Sequence, residues 1–357
     1  ATDYWFLEFK TMNQINRRFF LKYITIFSGC LAGIISFPLK LWGGLTDKSL
    51  SNRSSGKSPL PKVNEGKSRV VLVRDSAVLD SHHEVNLTIA CEMVSKGMLN
   101  LTGESSPDRA WKSLFKPKDI IGIKVNALGG RQIATHPGIV EAVISGLKLA
   151  GIPEKNIIVW DRLTKELKRS GYTENKSGNG VKCFGTDTNY DRYPEIVGSI
   201  GSCFSAIISS YCTALINVPV LKDHDLAGVS LSLKNFYGAI HNPNKYHDNN
   251  CDPYVADLNT HPYIKDKLRL IICDAITLQY QGGPAYKPQF ALDYRSLLLS
   301  QDPVAIDRIG AGLIEEKRKE KGLPSLKEAG REPTHIVTAA KKGLGIDNLD
   351  KIEFVKL

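Results

Sequence analysis

Residues 119–160, DIIGIKVNALGGRQIATHPGIVEAVISGLKLAGIPEKNIIVW, decide the fold. The largely apolar run Asp119–Val125 is too short for a helix of ordinary length and has the β-branched content of a strand buried on both faces. Asn126 and a Gly-containing turn end it. Thr135-His136-Pro137 then opens a helix, because proline is pre-organised for the first helical position and its missing N–H costs nothing there. That helix runs to Ala150 and stops at Gly151, and Asn156–Trp160 (NIIVW) is the next strand. Strand, helix and strand in this order form a βαβ unit, whose crossover is right-handed.

Working outward, Arg69–Arg74 (RVVLVR), Ala214–Val220 and Leu268–Cys273 (LRLIIC) read as further strands. Val85–Met98 has apolar residues at helical spacing, and Asp302 caps a helix from Pro303 to about Lys319. The expected fold is α/β, a mostly parallel sheet with helices on both faces, preceded by an N-terminal signal or anchor helix and a flexible linker. Residues 69–345 are expected to form a single α/β domain, and 346–357 a C-terminal tail or edge strand. No GxGxxG follows a strand, and no GxSxG, HExxH or Walker motif occurs. Dinucleotide-binding, serine hydrolase, zincin and NTPase readings therefore lack support.

The chain has 357 residues, 42% hydrophobic and 24% charged, enough for a large core. Its net charge is +10, but ten of the 47 basic and four of the 37 acidic residues fall in residues 1–68. The remainder has only a small positive excess, which argues against a nucleic-acid surface. Seven cysteines occur without a CxxC, so no iron–sulfur or zinc-ribbon motif is encoded locally. In an exported protein, pairs among Cys183, Cys203 and Cys212 would be the ones to oxidise.

Open α/β sheets hold ligands beyond the carboxyl ends of their strands, which directs attention to the residues just past each strand. After Ala214–Val220 comes LKDHDLAGVSLSLKNFYGAIHNPNKYHDNNCDP, with His224, His241, His247 and Cys251. Imidazole and thiolate groups suit a transition metal such as Fe, Ni or Zn. The alternative is a polar loop whose histidines cap helices or bond carbonyls. Lys124, Asn126, Arg131 and the helix start at His136 suggest an anion pocket, against a solvent-exposed lysine and a capping histidine. Lys222 and Lys234 stand out, and Leu231–Gly238 is largely apolar around Lys234, where an amine loses basicity and serves as a base or nucleophile, or else only binds an anion. With Tyr237 they are the expected catalytic groups. Asn217, Asn235 and Asp274, the last at a strand end, complete the expected ligand-binding set. Asp302 and Asp307 read as structural, a helix cap and a polar helix face, and Gly282-Gly283-Pro284 as a tight turn.

Asn16-Arg17-Arg18-Phe19-Phe20-Leu21-Lys22, succeeded by an apolar run from Tyr23 to Leu39, resembles a twin-arginine export signal. Residues 1–45 are then an extension plus signal or anchor, with Met12 as the start, and residues 46–68 are a linker rich in Ser, Lys, Gly and Pro. The resemblance implies a periplasmic or extracytoplasmic protein, released or membrane-tethered, with the export machinery as a partner. It also implies a cofactor loaded before export.

Six ordered landmarks resemble one family, the domain-of-unknown-function 362 proteins. They are Ile123-Lys124-Val125-Asn126, Thr135-His136-Pro137, Leu215–His224, Leu233-Lys234-Asn235-Phe236-Tyr237-Gly238, Gly282-Gly283-Pro284 and Asp302–Asp307. The resemblance implies an α/β domain over Arg69–Gly345 and no agreed activity. Some members carry an iron–sulfur module whose CxxC runs are missing here. The strand, turn and His-Pro helix also resemble, loosely, nickel-dependent lactate racemases. The expectation is a protein that binds a metal or organic cofactor and a small anionic ligand, with redox or isomerase chemistry. The alternative is a non-catalytic periplasmic binding or accessory protein.

Overall fold

A computed structural model describes residues 66–357. The signal and most of the linker expected at the N-terminus lie outside the described residues. The strands are β1 (Ser68–Arg74), β2 (Ile121–Val125), β3 (Ile157–Trp160), β4 (Lys182–Cys183), β5 (Glu195–Val197), β6 (Ile200–Ser202), β7 (Ala214–Val218), β8 (Val220–His224), β9 (Gly228–Val229), β10 (Leu268–Gln279), β11 (Ala291–Ser300) and β12 (Ile352–Lys356). The helices are α1 (Leu87–Thr102), α2 (Pro107–Leu114), α3 (Pro137–Leu149), α4 (Thr164–Arg169), α5 (Ser232–Asn235), α6 (Tyr254–Asn259), α7 (Pro262–Lys265), α8 (Pro303–Glu320) and α9 (Thr334–Lys341).

One ten-stranded sheet organises the fold, in the order β12-β1-β11-β10-β7-β2-β3-β4, with β8 and β9 branching from β10. Along that path β11 alone runs against its neighbours, pairing antiparallel with β1 and β10, while the other contacts are parallel. The fold is thus mixed α/β with a large, mostly parallel sheet. Successive side chains of a strand point to opposite faces, and the core divides accordingly. Val71, Val73, Ile121, Ile123 and Ile216 pack with Met93, Trp111 and Val143 from α1, α2 and α3. Val70, Leu72, Leu215 and Ile271 pack on the other face with Val304, Ile309 and Ile314 of α8. Each such buried aliphatic side chain contributes about 1.5–3 kcal/mol of transfer free energy. The α2–α3 contact is tight, since a Cβ on Gly146 would stand 2.1 Å from the Trp111 indole.

Two boundaries differ from the sequence reading. Lys222, Asp223 and His224 lie on strand β8, not in a polar turn, because Pro219 divides the run and long-range partners satisfy these side chains. The strand expected to end at Cys273 continues as β10 to Gln279, past a register shift after Ala275. Residues 352–356 of the C-terminal stretch form edge strand β12, parallel to β1. Asp302 caps α8 as expected, accepting from the Val304 and Ala305 amides. All six described cysteines, Cys183, Cys203 and Cys212 among them, are free. Burial pushes the Cys183 thiol up to about 11 and the Cys212 thiol to about 12. No helix among the described residues is long and apolar enough to cross a membrane.

Candidate functional site

The parallel strands β2, β7 and β3 place Lys124 in register with Asn217 on one side and Trp160 on the other. Lys124 is buried, and its Nζ donates to Asp161 Oδ1 at 2.6 Å and to the Val125 carbonyl at 2.7 Å. Burial pulls this amine down, and Asp161 works against that pull. The other carboxylate oxygen of Asp161 accepts the Ala127 amide at 2.7 Å, so the pair also fixes the loop after β2. A Cβ at Gly238 would come within 2.7 Å of Asp161 Oδ1 and 2.9 Å of Lys124 Nζ, so only glycine lets this backbone close over the pair.

A chain of donors crosses the rim beside them. Lys222 Nζ donates to Asn126 Oδ1 at 3.0 Å, Asn126 Nδ2 to Asn235 Oδ1 at 3.1 Å, and Asn235 Nδ2 to Asn217 Oδ1 at 2.7 Å. Asn217 Nδ2 then donates to the Ser232 carbonyl at 2.9 Å. Lys222 is 0% exposed and also donates to the carbonyls of Leu128 at 2.8 Å and Ile133 at 3.1 Å. Burial pulls its amine to about 7. Its three acceptors each take one N–H of an ammonium group, and they are all neutral. At the end of the chain, the Ser232 and Leu233 amides donate to Asp307 at 2.7 and 2.9 Å. Burial raises that carboxyl to about 8 against the two amides.

Lys234, also on α5, is placed differently. It is 6% exposed, and its Nζ contacts His247 Nε2 at 3.1 Å and lies 4.0 Å from the Tyr237 ring centroid. Because His247 Nδ1 faces the Asn244 carbonyl at 3.3 Å, Nδ1 carries the proton and Nε2 accepts from the lysine. Burial pulls the Lys234 amine to about 8. His224 stacks on His247 with centroids 5.6 Å apart. Its Nδ1 accepts the Leu226 and Ala227 amides at 3.1 and 3.2 Å, so Nε2 bears the hydrogen. Burial and the Lys234 charge hold His224 down to about 2. Cys251 lies against Tyr237 on a turn in which Asn249, Asn250 and Cys251 all have positive φ, 48°, 55° and 64°. Asparagine tolerates that region, whereas cysteine pays about 1 kcal/mol or more. Burial raises the Cys251 thiol, so it presents S–H and not thiolate.

His335 on α9 completes this group. It is 0% exposed, neither ring nitrogen has a hydrogen-bond partner among the described residues, and burial and the Lys234 charge hold it to about 3.

The third part of the rim is His136 with Asp274. Asp274 Oδ2 accepts the His136 amide at 2.8 Å and meets its Nδ1 at 2.9 Å. Burial lowers the imidazole, but the Asp274 charge outweighs it and the pKa is raised. His136 occupies the N-cap position of α3 without capping through its side chain. Nearby, Gly129, Gly130, Arg131, Arg169 and Pro284 line a cleft of about 590 Å³. Arg131 pairs with Glu84, while Arg169 has no hydrogen-bond or ion-pair partner among the described residues.

The family model for a domain of unknown function, DUF362, matches residues 121–312, more than half of the chain. The chain belongs to the DUF362 family. No curated protein matches it. Among solved structures, a crystal structure of a Thermotoga maritima protein determined as a structural-genomics target is similar at 10% identity. It covers 66% of this chain and 59% of that one with a TM-score of 0.36, too loose to carry an argument.

In this DUF362 chain the fold brings Lys124, Asn126, Asn217, Lys222 and Asn235 into one network. It brings Lys234, Tyr237, His224, His247 and Cys251 into a second and pairs His136 with Asp274. The expected four-ligand metal set is not assembled. His241 is exposed and stands edge-on to Tyr190 at 5.3 Å, and the His224 Nε2 that would bind a metal already carries a hydrogen. Among the described residues no three His, Cys, Asp or Glu side chains are grouped to hold a metal. Asp161, Arg331 and His335 escaped the sequence reading. Arg331 donates to Asp223 at 2.8 Å across 108 positions of chain, and it lies with His335 beyond the matched stretch. Nothing local in the sequence marks either.

Proposed function

We propose that this DUF362 chain binds a small anionic molecule at the carboxyl rim of its sheet and moves a proton on it, with Lys234 as the acid–base group. The observation that carries the reading is the imbalance of charge around three buried amines. Lys124 has a carboxylate partner, Asp161. Lys222 is surrounded by neutral acceptors, and Lys234 has only an imidazole nitrogen and an aromatic face. A buried ammonium without a counter-charge is costly, and either an incoming anion or loss of the proton relieves it. The surroundings of Lys234 favour the anion: His224, whose Nε2 bears the hydrogen, stacks on His247, and no carboxylate acts on Lys234. An amine near pKa 8 also exchanges its proton efficiently near neutral pH.

Melting curves of the full chain with lactate, malate or inorganic phosphate test this. At least one is expected to raise the melting temperature with increasing concentration, and Lys234→Met to abolish the rise. If none stabilises the chain, or all stabilise the variant equally, the reading is wrong. The proposal includes twin-arginine export, carried by residues 16–22. Changing Arg17 and Arg18 to lysine should leave the chain in the cytoplasmic fraction of cells, and unchanged export would remove this part.

A further inference from the structure

We infer that Lys234 is a carbonyl-condensing nucleophile, its amine forming an imine with an aldehyde or ketone group of a small anionic substrate. The inference rests on the proposed anion site and names its substrate class: an anion that carries a carbonyl, as in a 2-oxo acid.

Three features set Lys234 apart from the other buried lysines. Its nitrogen has no carboxylate and no amide carbonyl as acceptor, so its lone pair is not committed once the proton leaves. The group that takes the proton is at hand, because His247 Nε2 is an unprotonated nitrogen 3.1 Å away and His247 is itself part-exposed, giving a route to solvent. The surroundings are buried and uncharged, with Tyr237 beneath the amine, which disfavours the ammonium form. Lys124, tied to Asp161, and Lys222, tied to three oxygens, meet none of these conditions. The unpartnered, fully buried nitrogens of His335 point to polar matter not supplied by the protein in this region.

The step balances without an oxidant or reductant. The neutral amine adds to the carbonyl carbon, forming C–N. One amine proton passes through His247 to the oxygen, giving the carbinolamine; the second N–H proton follows by the same route, and the oxygen leaves as water as C=N forms.

Incubating the full chain with glyoxylate or pyruvate and then sodium cyanoborohydride, with peptide mass spectrometry as the readout, tests the inference. Lys234 is expected to carry the reduced adduct at a rate about tenfold or more above that of an ordinary exposed lysine. Lys327, whose side chain is 78% exposed, serves as that reference. Lys234→Arg keeps the charge and should remove the adduct, and His247→Gln should slow its formation. Labelling of Lys234 no faster than Lys327 with either probe overturns the inference. Lactate, which has no carbonyl, separates the two readings. Stabilisation by lactate without labelling leaves the anion site standing and the imine refuted, and absence of both refutes both. Labelling without stabilisation supports the imine and refutes the anion site as proposed.

Discussion

Lys124 and Lys234 sit on the same rim, both buried, both within reach of α5, yet one is saturated with partners and the other is nearly bare. Around Lys124, Asp161 supplies charge, Val125 a carbonyl and Asn235 a further oxygen at 3.4 Å. Around Lys234 there are three imidazoles, a thiol and a tyrosine, and each is held in its neutral form by burial. A polar group that is fully paired inside a protein specifies and stabilises the fold. One left without partners costs stability, and a fold that keeps it is using it for something else. The first lysine is therefore read as structure and the second as chemistry.

The sharpest way to break this contrast is Lys124→Met. It strands the buried Asp161 carboxylate, and a loss of about 3–5 kcal/mol is expected in denaturant unfolding. A smaller loss would place Lys124 outside the structural class. Next comes the acid limb of stability. His224 and His335, held to about 2 and about 3, stay neutral in the folded chain but are protonated below pH 6.5 when it unfolds. The unfolded state then takes up the extra protons, so stability falls as pH drops from 6.5 towards 3. The expected slope is about 1.4 kcal/mol per pH unit for each histidine. Melting temperatures that stay flat between pH 7 and 5 would refute the burial of these rings.

A smaller effect of opposite sign is expected for His335→Leu. Removing two unpartnered polar atoms should raise stability by about 1–3 kcal/mol and reduce the acid slope by one histidine. Destabilisation would mean that His335 has a partner in solution. Smallest is Lys234→Met, expected to change unfolding free energy by about 1 kcal/mol or less because no buried charge is left behind. A loss as large as that of Lys124→Met would erase the comparison.

The sequence made part of this rim legible. Lys124, Asn126 and His136 follow from the β2–α3 connection, where the apolar run, the proline at the first helical turn and the terminal glycine are local signals. Lys234 was picked out by its apolar neighbours and Lys222 by its place after a strand, and both are buried. The grouping of histidines with Cys251 into a metal set was misleading in a specific way. His241 follows Lys234 along an irregular stretch and turns towards Tyr190, because spacing along such a stretch does not fix direction. The polar strand β8 was unreadable for a related reason. Lys222 and Asp223 are compatible with a buried strand only because Asn126 and Arg331 reach them from distant parts of the chain.

By itself the sequence determined the alternation of strands and helices, the caps and breaks that bound them, and the family. These are consequences of local backbone preference and of the periodicity of apolar side chains. Tertiary structure alone decided which amines found counter-charges. It inserted β11 antiparallel between β1 and β10, bent the chain at Pro219 to carry Lys222 under Leu128, and brought His335 from α9 into the field of Lys234. Desolvation and pairing depend on what surrounds a group in space, and neighbours in space are set by the packing of the whole domain.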